Sequence, residues 1–164
     1  MRERSQYAIS KRVGIIGGNA PSSEAIEQAH QMGRLIAENN YILVNGGMSG
    51  VMEASAKGAK SSGGLVIAIL PGLSMDECNP YVDIAIPTGL GHLRNSQVIL
   101  NSHILVAIDG SYGTLSEIAF AKIHNRTVLG LDTWDIEGVT AMKTPEQVIN
   151  YIKEQWPDQS PIIK

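Results

Sequence analysis

The sequence predicts an α/β fold in which a doubly wound parallel sheet carries helices on both faces. Three observations predict it. Near-continuous apolar runs of strand length recur along the chain, helix-compatible segments separate most of them, and four of the six runs break into glycine where they end. A strand covered on both faces has no polar side to show, so its run is apolar throughout rather than alternating. This is the Rossmann-like architecture. With 164 residues, 43% hydrophobic and 18% charged, the chain suits one core of this kind. Residues 1–164 are therefore read as a single domain, with residues 1–11 as a loose N-terminal arm.

The elements follow in order. Val13 to Ile16 is the first strand, ended by Gly17-Gly18-Asn19, and Ser22 to Asn39 the first helix. Tyr41 to Val44 is the second strand; Asn45-Gly46-Gly47-Met48-Ser49-Gly50 ends it and the helix Ser49 to Ser61 follows. Leu65 to Leu70 is the third. Beyond it Pro71 to Tyr81, "PGLSMDECNPY", has two prolines and a glycine, which leave little room for a helix and predict a long loop bordering the site. The fourth strand, Val82 to Ile86, ends in Thr88-Gly89-Leu90-Gly91 and gives way to a helix from Gly91 to Asn101. Ile104 to Ile108 is the fifth, ended by Asp109-Gly110-Ser111-Tyr112-Gly113-Thr114 and followed by a helix from Ser111 to His124. Val128 to Leu131 is the sixth strand, and Thr144 to Gln155 the last helix.

A sheet of this kind binds its ligand beyond the carboxyl ends of the strands, where strand order reverses. One glycine-rich strand end is an ordinary tight turn. Four on the same edge, letting backbone approach a ligand closely, predict a binding site. The candidates are Gly17, Gly18 and Asn19 after the first strand, Gly46, Gly47, Met48 and Ser49 after the second, Gly89 after the fourth, and Gly110, Ser111, Tyr112, Gly113 and Thr114 after the fifth.

Several functions are disfavoured. A net charge of −3 supplies no basic face for nucleic acid. The apolar run Val13 to Ile16 is too short for a signal-peptide core, and no run approaches the roughly 18 residues of a membrane span. Cys78 is the lone cysteine, which fits a reducing cytoplasm. The fingerprint G-x-G-x-x-G is absent after the first strand, and Asn45 stands where a ribose-binding acid would, so NAD is not expected. No G-x-x-x-x-G-K-[ST] phosphate loop occurs, and "GGMSGV" misses the G-x-S-x-G elbow. His30, His92, His103 and His124 lack ligand spacing, so no metal site is expected. His103 and His124 have structural roles at a strand start and a helix end, whereas His92 lies in a glycine loop beside Arg94, within reach of a ligand.

Arg94 and Glu117 are the informative pair. Arg94, with Asn95 beside it, falls at the start of a helix, where its cation opposes the helix dipole by a few tenths of a kcal/mol unless an anion sits nearby. That anion is either a ligand or a surface acid such as Asp83, the remaining alternative being a plain solvated arginine. Glu117 completes Thr114-Leu-Ser-Glu117, which fits the [ST]-x-x-E capping box; the carboxylate would then close the helix N-terminus and also stand preorganised beside a ligand.

These residues carry a resemblance. "NGGMSGVMEASAKGAKSSGG" followed by "DGSYGTLSEIAFA" resembles the LOG/SLOG superfamily, which contains the LONELY GUY phosphoribohydrolases and the molybdenum cofactor carrier proteins, over roughly Val13 through Leu131. The hydrolases carry an arginine and, fifteen residues later, P-G-G-x-G-T-x-x-E. Arg94 stands fifteen residues before Asp109 and twenty-three before Glu117, but Asp109 and Ser111 replace the family's Pro and second Gly. "VDIAIPTGLGHLRNSQVILNSHILVAI" is similar to the carriers' Thr-Gly-Leu-Gly-x-x-Arg segment. Relatives labelled lysine decarboxylase do not alter this, because neither Lys57 nor Lys60 has a pyridoxal-phosphate setting.

The resemblance implies a phosphorylated small molecule, pterin or nucleotide, with its phosphate on the backbone N–H groups of Gly110 to Thr114 and the Ser111 and Thr114 hydroxyls. Asp109 must then turn its carboxylate away. It implies a non-catalytic carrier or sensor holding molybdenum cofactor. The alternative is a phosphoribohydrolase in which Arg94 orients a nucleoside 5′-monophosphate and Glu117 activates water or stabilises the oxocarbenium-like centre. The resemblance also implies a homo-oligomer, a dimer or tetramer built partly through the helices that begin near Arg94 and Ser111.

Overall fold

The computed structural model describes residues 10–156. The arm expected over residues 1–11 lies, as far as residue 9, outside the described residues.

The described residues form one seven-stranded sheet, all parallel, with five α-helices: β1 (Arg12–Gly17), α1 (Ser23–Glu38), β2 (Ile42–Asn45), α2 (Val51–Ser61), β3 (Val66–Leu70), β4 (Ile84–Pro87), α3 (Asn95–Leu100), β5 (Ile104–Ile108), α4 (Tyr112–Ile123), β6 (Thr127–Leu131), β7 (Val139–Met142) and α5 (Pro145–Gln155). The strand order is β4-β3-β2-β1-β5-β6-β7. From β1 the chain moves outward in one direction to β4, then returns to lay β5 against the other side of β1. Loops leaving β1 and β5 therefore diverge and open a crevice between them.

Strand side chains alternate between two cores. Val13, Ile15, Leu43, Val106 and Ile108 pack under Met32 and Ile36 of α1, Val51 of α2 and Val148 and Ile152 of α5. Ile16, Val44, Leu105 and Ala107 pack on the opposite face against Val98 and Ile99 of α3 and Ile118 and Ala121 of α4. This two-sided burial explains the apolar runs. On the first face α1 and α2 meet so closely that a Cβ on Gly33 would run into the Ser55 carbonyl, and one on Gly58 into the His30 carbonyl.

Three differences from the sequence reading have local causes. β7 was not foreseen: its four residues, VTAM, are partly exposed at a sheet edge and show neither an apolar run nor alternation. The segment Gly91 to Asn101 divides into a 3-10 turn, Gly91–Arg94, and α3. The Pro71 to Tyr81 loop contains a 3-10 turn, Met75–Glu77, closed by a capping box between Ser74 and Glu77. Asn79 pins this loop to the β2 end, its side-chain amide donating to the Gly47 and Met48 carbonyls, each at 3.1 Å. Among the described residues no helix is long and apolar enough to cross a membrane.

Candidate functional site

The crevice where strand order reverses holds a cavity of about 360 Å³, within the range of a small-molecule site. Gly17, Gly18 and Asn19 form its β1 side, Met48, Ser49 and Met52 the approach to α2, Pro71 the end of β3, Gly91, His92, Arg94 and Asn95 the turn into α3, and Ser111, Gly113, Thr114 and Glu117 the start of α4.

The start of α4 sets the character of this cavity. Ser111 is the N-cap residue, yet its side chain makes no capping hydrogen bond. The first-turn N–H groups of Tyr112, Gly113 and Thr114 thus receive no cap from Ser111, and they carry the partial positive charge of the helix end. The expected capping box is not formed. Asp109 at φ 52 and Gly110 at φ 138 complete the turn from β5 early, so the helix winds from Tyr112 and Thr114 is its third residue rather than its cap. The Thr114 hydroxyl is buried without a hydrogen-bond partner among the described residues. Glu117, one turn further on, is released from any capping duty.

Glu117 is 6% exposed, and burial pushes its carboxyl up to about 8, with the charge of Arg94 opposing the rise. Arg94 is 9% exposed; burial lowers its pKa, and Glu117 partly restores it. Its Nε has no hydrogen-bond partner among the described residues. The guanidinium lies along the Gly46 backbone, where any Cβ would collide with it. Asp83 is not its counter-ion: that carboxylate accepts from Lys60 Nζ at 2.7 Å and from the Val66 N–H at 2.8 Å. Asn95 bridges the two helices, donating to Ser116 Oγ at 3.1 Å.

Asp109 turns away from the cavity. Its Oδ2 accepts from the Ser22 N–H at 3.1 Å, at the start of α1, and its Oδ1 from the Gly110 N–H at 2.7 Å. Its carbonyl accepts from Thr133 Oγ1 at 2.6 Å, so one residue ties together the loops after β1, β5 and β6.

The profile of the SLOG cluster4 family matches residues 10–159. The chain belongs to this family. An uncharacterized protein of Archaeoglobus fulgidus is 47% identical over 141 residues, covering 85% of this chain and 93% of its own. A probable cytokinin riboside 5′-monophosphate phosphoribohydrolase of Oryza sativa subsp. japonica is 29% identical over 129 residues; the match covers 72% of this chain and 52% of that protein, about half its length. Among solved structures, the molybdenum cofactor binding protein of Rippkaea orientalis aligns with a TM-score of 0.85 at 34% identity, covering 89% of this chain and 97% of that one. The molybdenum cofactor carrier protein of Chlamydomonas reinhardtii aligns with a TM-score of 0.81 at 31% identity, covering 91% and 99%.

Within this SLOG chain, five residues expected at the site lie off the cavity wall. Gly46 stands behind Arg94 and makes room for it. Gly47, at φ 72, is turned toward Ala68 and Leu70, with its N–H on Asn45 Oδ1 at 2.8 Å. The N–H of Gly89 is held by the Gly72 carbonyl at 2.8 Å. That of Gly110 is held by Asp109, which removes it from the expected phosphate seat. Tyr112 is exposed and sets its ring 6.1 Å from that of Trp134. Met52, Pro71 and Gly91 were missed. Pro71 was findable, since it stands at the carboxyl end of the third strand; Met52 carries no such signal in the sequence.

Proposed function

We propose that this SLOG protein is a non-catalytic carrier of a phosphorylated small molecule, and that the molecule is molybdenum cofactor. One observation carries the reading: the uncapped start of α4 and two buried, unpartnered polar atoms, Arg94 Nε and Thr114 Oγ1, belong to residues of a single cavity. Buried polar groups are rarely left unpaired, and a tetrahedral anion suits the free N–H groups of this helix end with the Arg94 guanidinium and the Thr114 side chain beside it. The phosphate rests on the Tyr112, Gly113 and Thr114 N–H groups, the Ser111 and Thr114 hydroxyls and Arg94. The pterin then lies across Gly17, Gly18 and Asn19 and the Met48 and Ser49 backbone. The likeness to two structures described as binding or carrying this cofactor supports the choice of ligand.

A second reading, hydrolysis of a nucleoside 5′-monophosphate, is favoured by the 29% identical relative and by Glu117 being free of a capping role. It requires an ionised carboxylate to activate water or stabilise a cationic sugar centre. Burial pushes the Glu117 carboxyl up to about 8, a value that suits an acid as well as a base; Asp109 and Ser111, standing where the hydrolases carry Pro and Gly, favour the carrier. Incubation with AMP tests this directly: negligible release of adenine is expected, and robust release that a folded Glu117→Gln protein loses would overturn the carrier reading. Native mass spectrometry of untagged protein is expected to show a retained mass matching the cofactor.

The protein acts in this proposal as a cytoplasmic homo-oligomer, a dimer or tetramer. Exposed Leu93, Leu100 and Ile123 along the α3 and α4 segments, and Ile84 and Ile86 on β4, support a subunit contact there. Sedimentation reports the number.

A further inference from the structure

We propose, on the reading that α4 seats an anion, that Glu117 enters the complex as a neutral carboxylic acid, so that binding a phosphate monoester draws one proton from solvent whenever the empty site holds Glu117 ionised.

The placement of Glu117 argues for this. It follows Thr114 by three positions on α4, so both side chains rise on the same helix face beside the seat. Among the described residues none hydrogen-bonds its carboxylate, and with 6% exposure little water does. A phosphate on the first turn of α4 would face that carboxylate across a largely desolvated gap, where two like charges are costly.

The countercharge available is small. The titratable groups on the cavity wall are His92 and Arg94, from the turn before α3, and Glu117 itself; the ends of β1, β2 and β3 contribute none. Asp109, from the end of β5, turns its carboxylate to the start of α1. A single buried guanidinium cannot neutralise both a carboxylate and a phosphate dianion. A proton on Glu117 removes one of the negative charges and replaces a repulsion with an O–H donor to a phosphate oxygen. Burial and the partial compensation by Arg94 place Glu117 at about 8 in the empty site, so the proton is mostly present at neutral pH and must be taken up in alkaline solution.

Calorimetric titration with sulfate, a dianion that does not itself titrate here, and with AMP tests the coupling. With Glu117 at about 8, raising the solution from about pH 7 to about pH 9.5 is expected to weaken binding roughly 30-fold, with close to one proton taken up per anion at the higher pH. Proton uptake is read from the dependence of the heat on the ionisation enthalpy of the buffer, and needs no variant. Glu117→Gln is expected to bring the ratio of affinities at the two pH values close to one. Sulfate and AMP binding with no pH dependence and no proton uptake would overturn this inference while leaving the anion seat intact. Equal pH dependence in wild type and Glu117→Gln would overturn it as well, and failure of both probes to bind would overturn the seat and the inference together.

Discussion

In the ligand-free protein, replacing Glu117 by Gln should raise stability at neutral and alkaline pH. The carboxyl titrates at 4.5 in its unperturbed state and at about 8 in the folded protein. Between those values the folded state keeps a proton that the unfolded chain gives up, so wild-type stability falls as pH rises through the window. The contribution is fully present below 4.5 and lost above about 8. A gap of about 3.5 pH units at about 1.4 kcal/mol each makes the total about 5 kcal/mol. Gln has the same length and no charge, so its stability lacks this slope. Urea denaturation of both proteins at about pH 5, 6.5 and 8 reads the difference, and other titrating groups cancel in it. Gln is expected to be near parity at the lowest pH and several kcal/mol more stable at the highest. Parallel stability profiles would refute the reasoning, because they would mean that Glu117 ionises as freely in the fold as in water.

Arg94→Ala should cost about 1.5–3 kcal/mol of anion affinity, the scale of a charge-assisted hydrogen bond, as measured by sulfate or AMP titration. Its effect on ligand-free stability should be small, since the guanidinium Nε has no partner to lose; a large fall in urea stability would point to a structural role instead. Gly113→Val should fold, because a Cβ there meets nothing nearer than Ser111 Oγ at 4.0 Å, but its branched side chain should weaken anion binding by about tenfold, or ~1.4 kcal/mol. Gly33→Ala, far from the cavity, should destabilise by about 3 kcal/mol through overpacking against the Ser55 carbonyl, with little change in affinity once the protein is folded.

Much of this fold could be read from the chain because its strands are buried on both faces. Ile104 to Ile108 is apolar at every position, and its predicted bounds are the observed ones. β7 escaped because an edge strand need not be apolar, and VTAM earns its place by pairing with β6 rather than by hydrophobic pattern. The cavity was placed by strand ends, and Gly17 to Asn19, Ser49, Arg94, Ser111, Gly113 and Glu117 do meet there. What the pattern could not give was the winding of α4. Thr114 and Glu117 match a capping box, but whether Thr114 caps depends on the dihedrals of Asp109 and Gly110, which no spacing rule encodes. The same turn decides which way Asp109 faces, and with it the loss of the Gly110 N–H from the seat. Gly46, Gly47 and Gly89 mark backbone that must pass close to protein atoms rather than to a ligand, a distinction that composition does not carry.

A crystal structure determined with sulfate or AMP present tests the anion seat most directly. The account predicts a tetrahedral anion on the N–H groups of the first turn of α4, within hydrogen-bond distance of Arg94 and the Thr114 hydroxyl. An anion bound elsewhere on the protein, with this turn and Arg94 left empty, would contradict it.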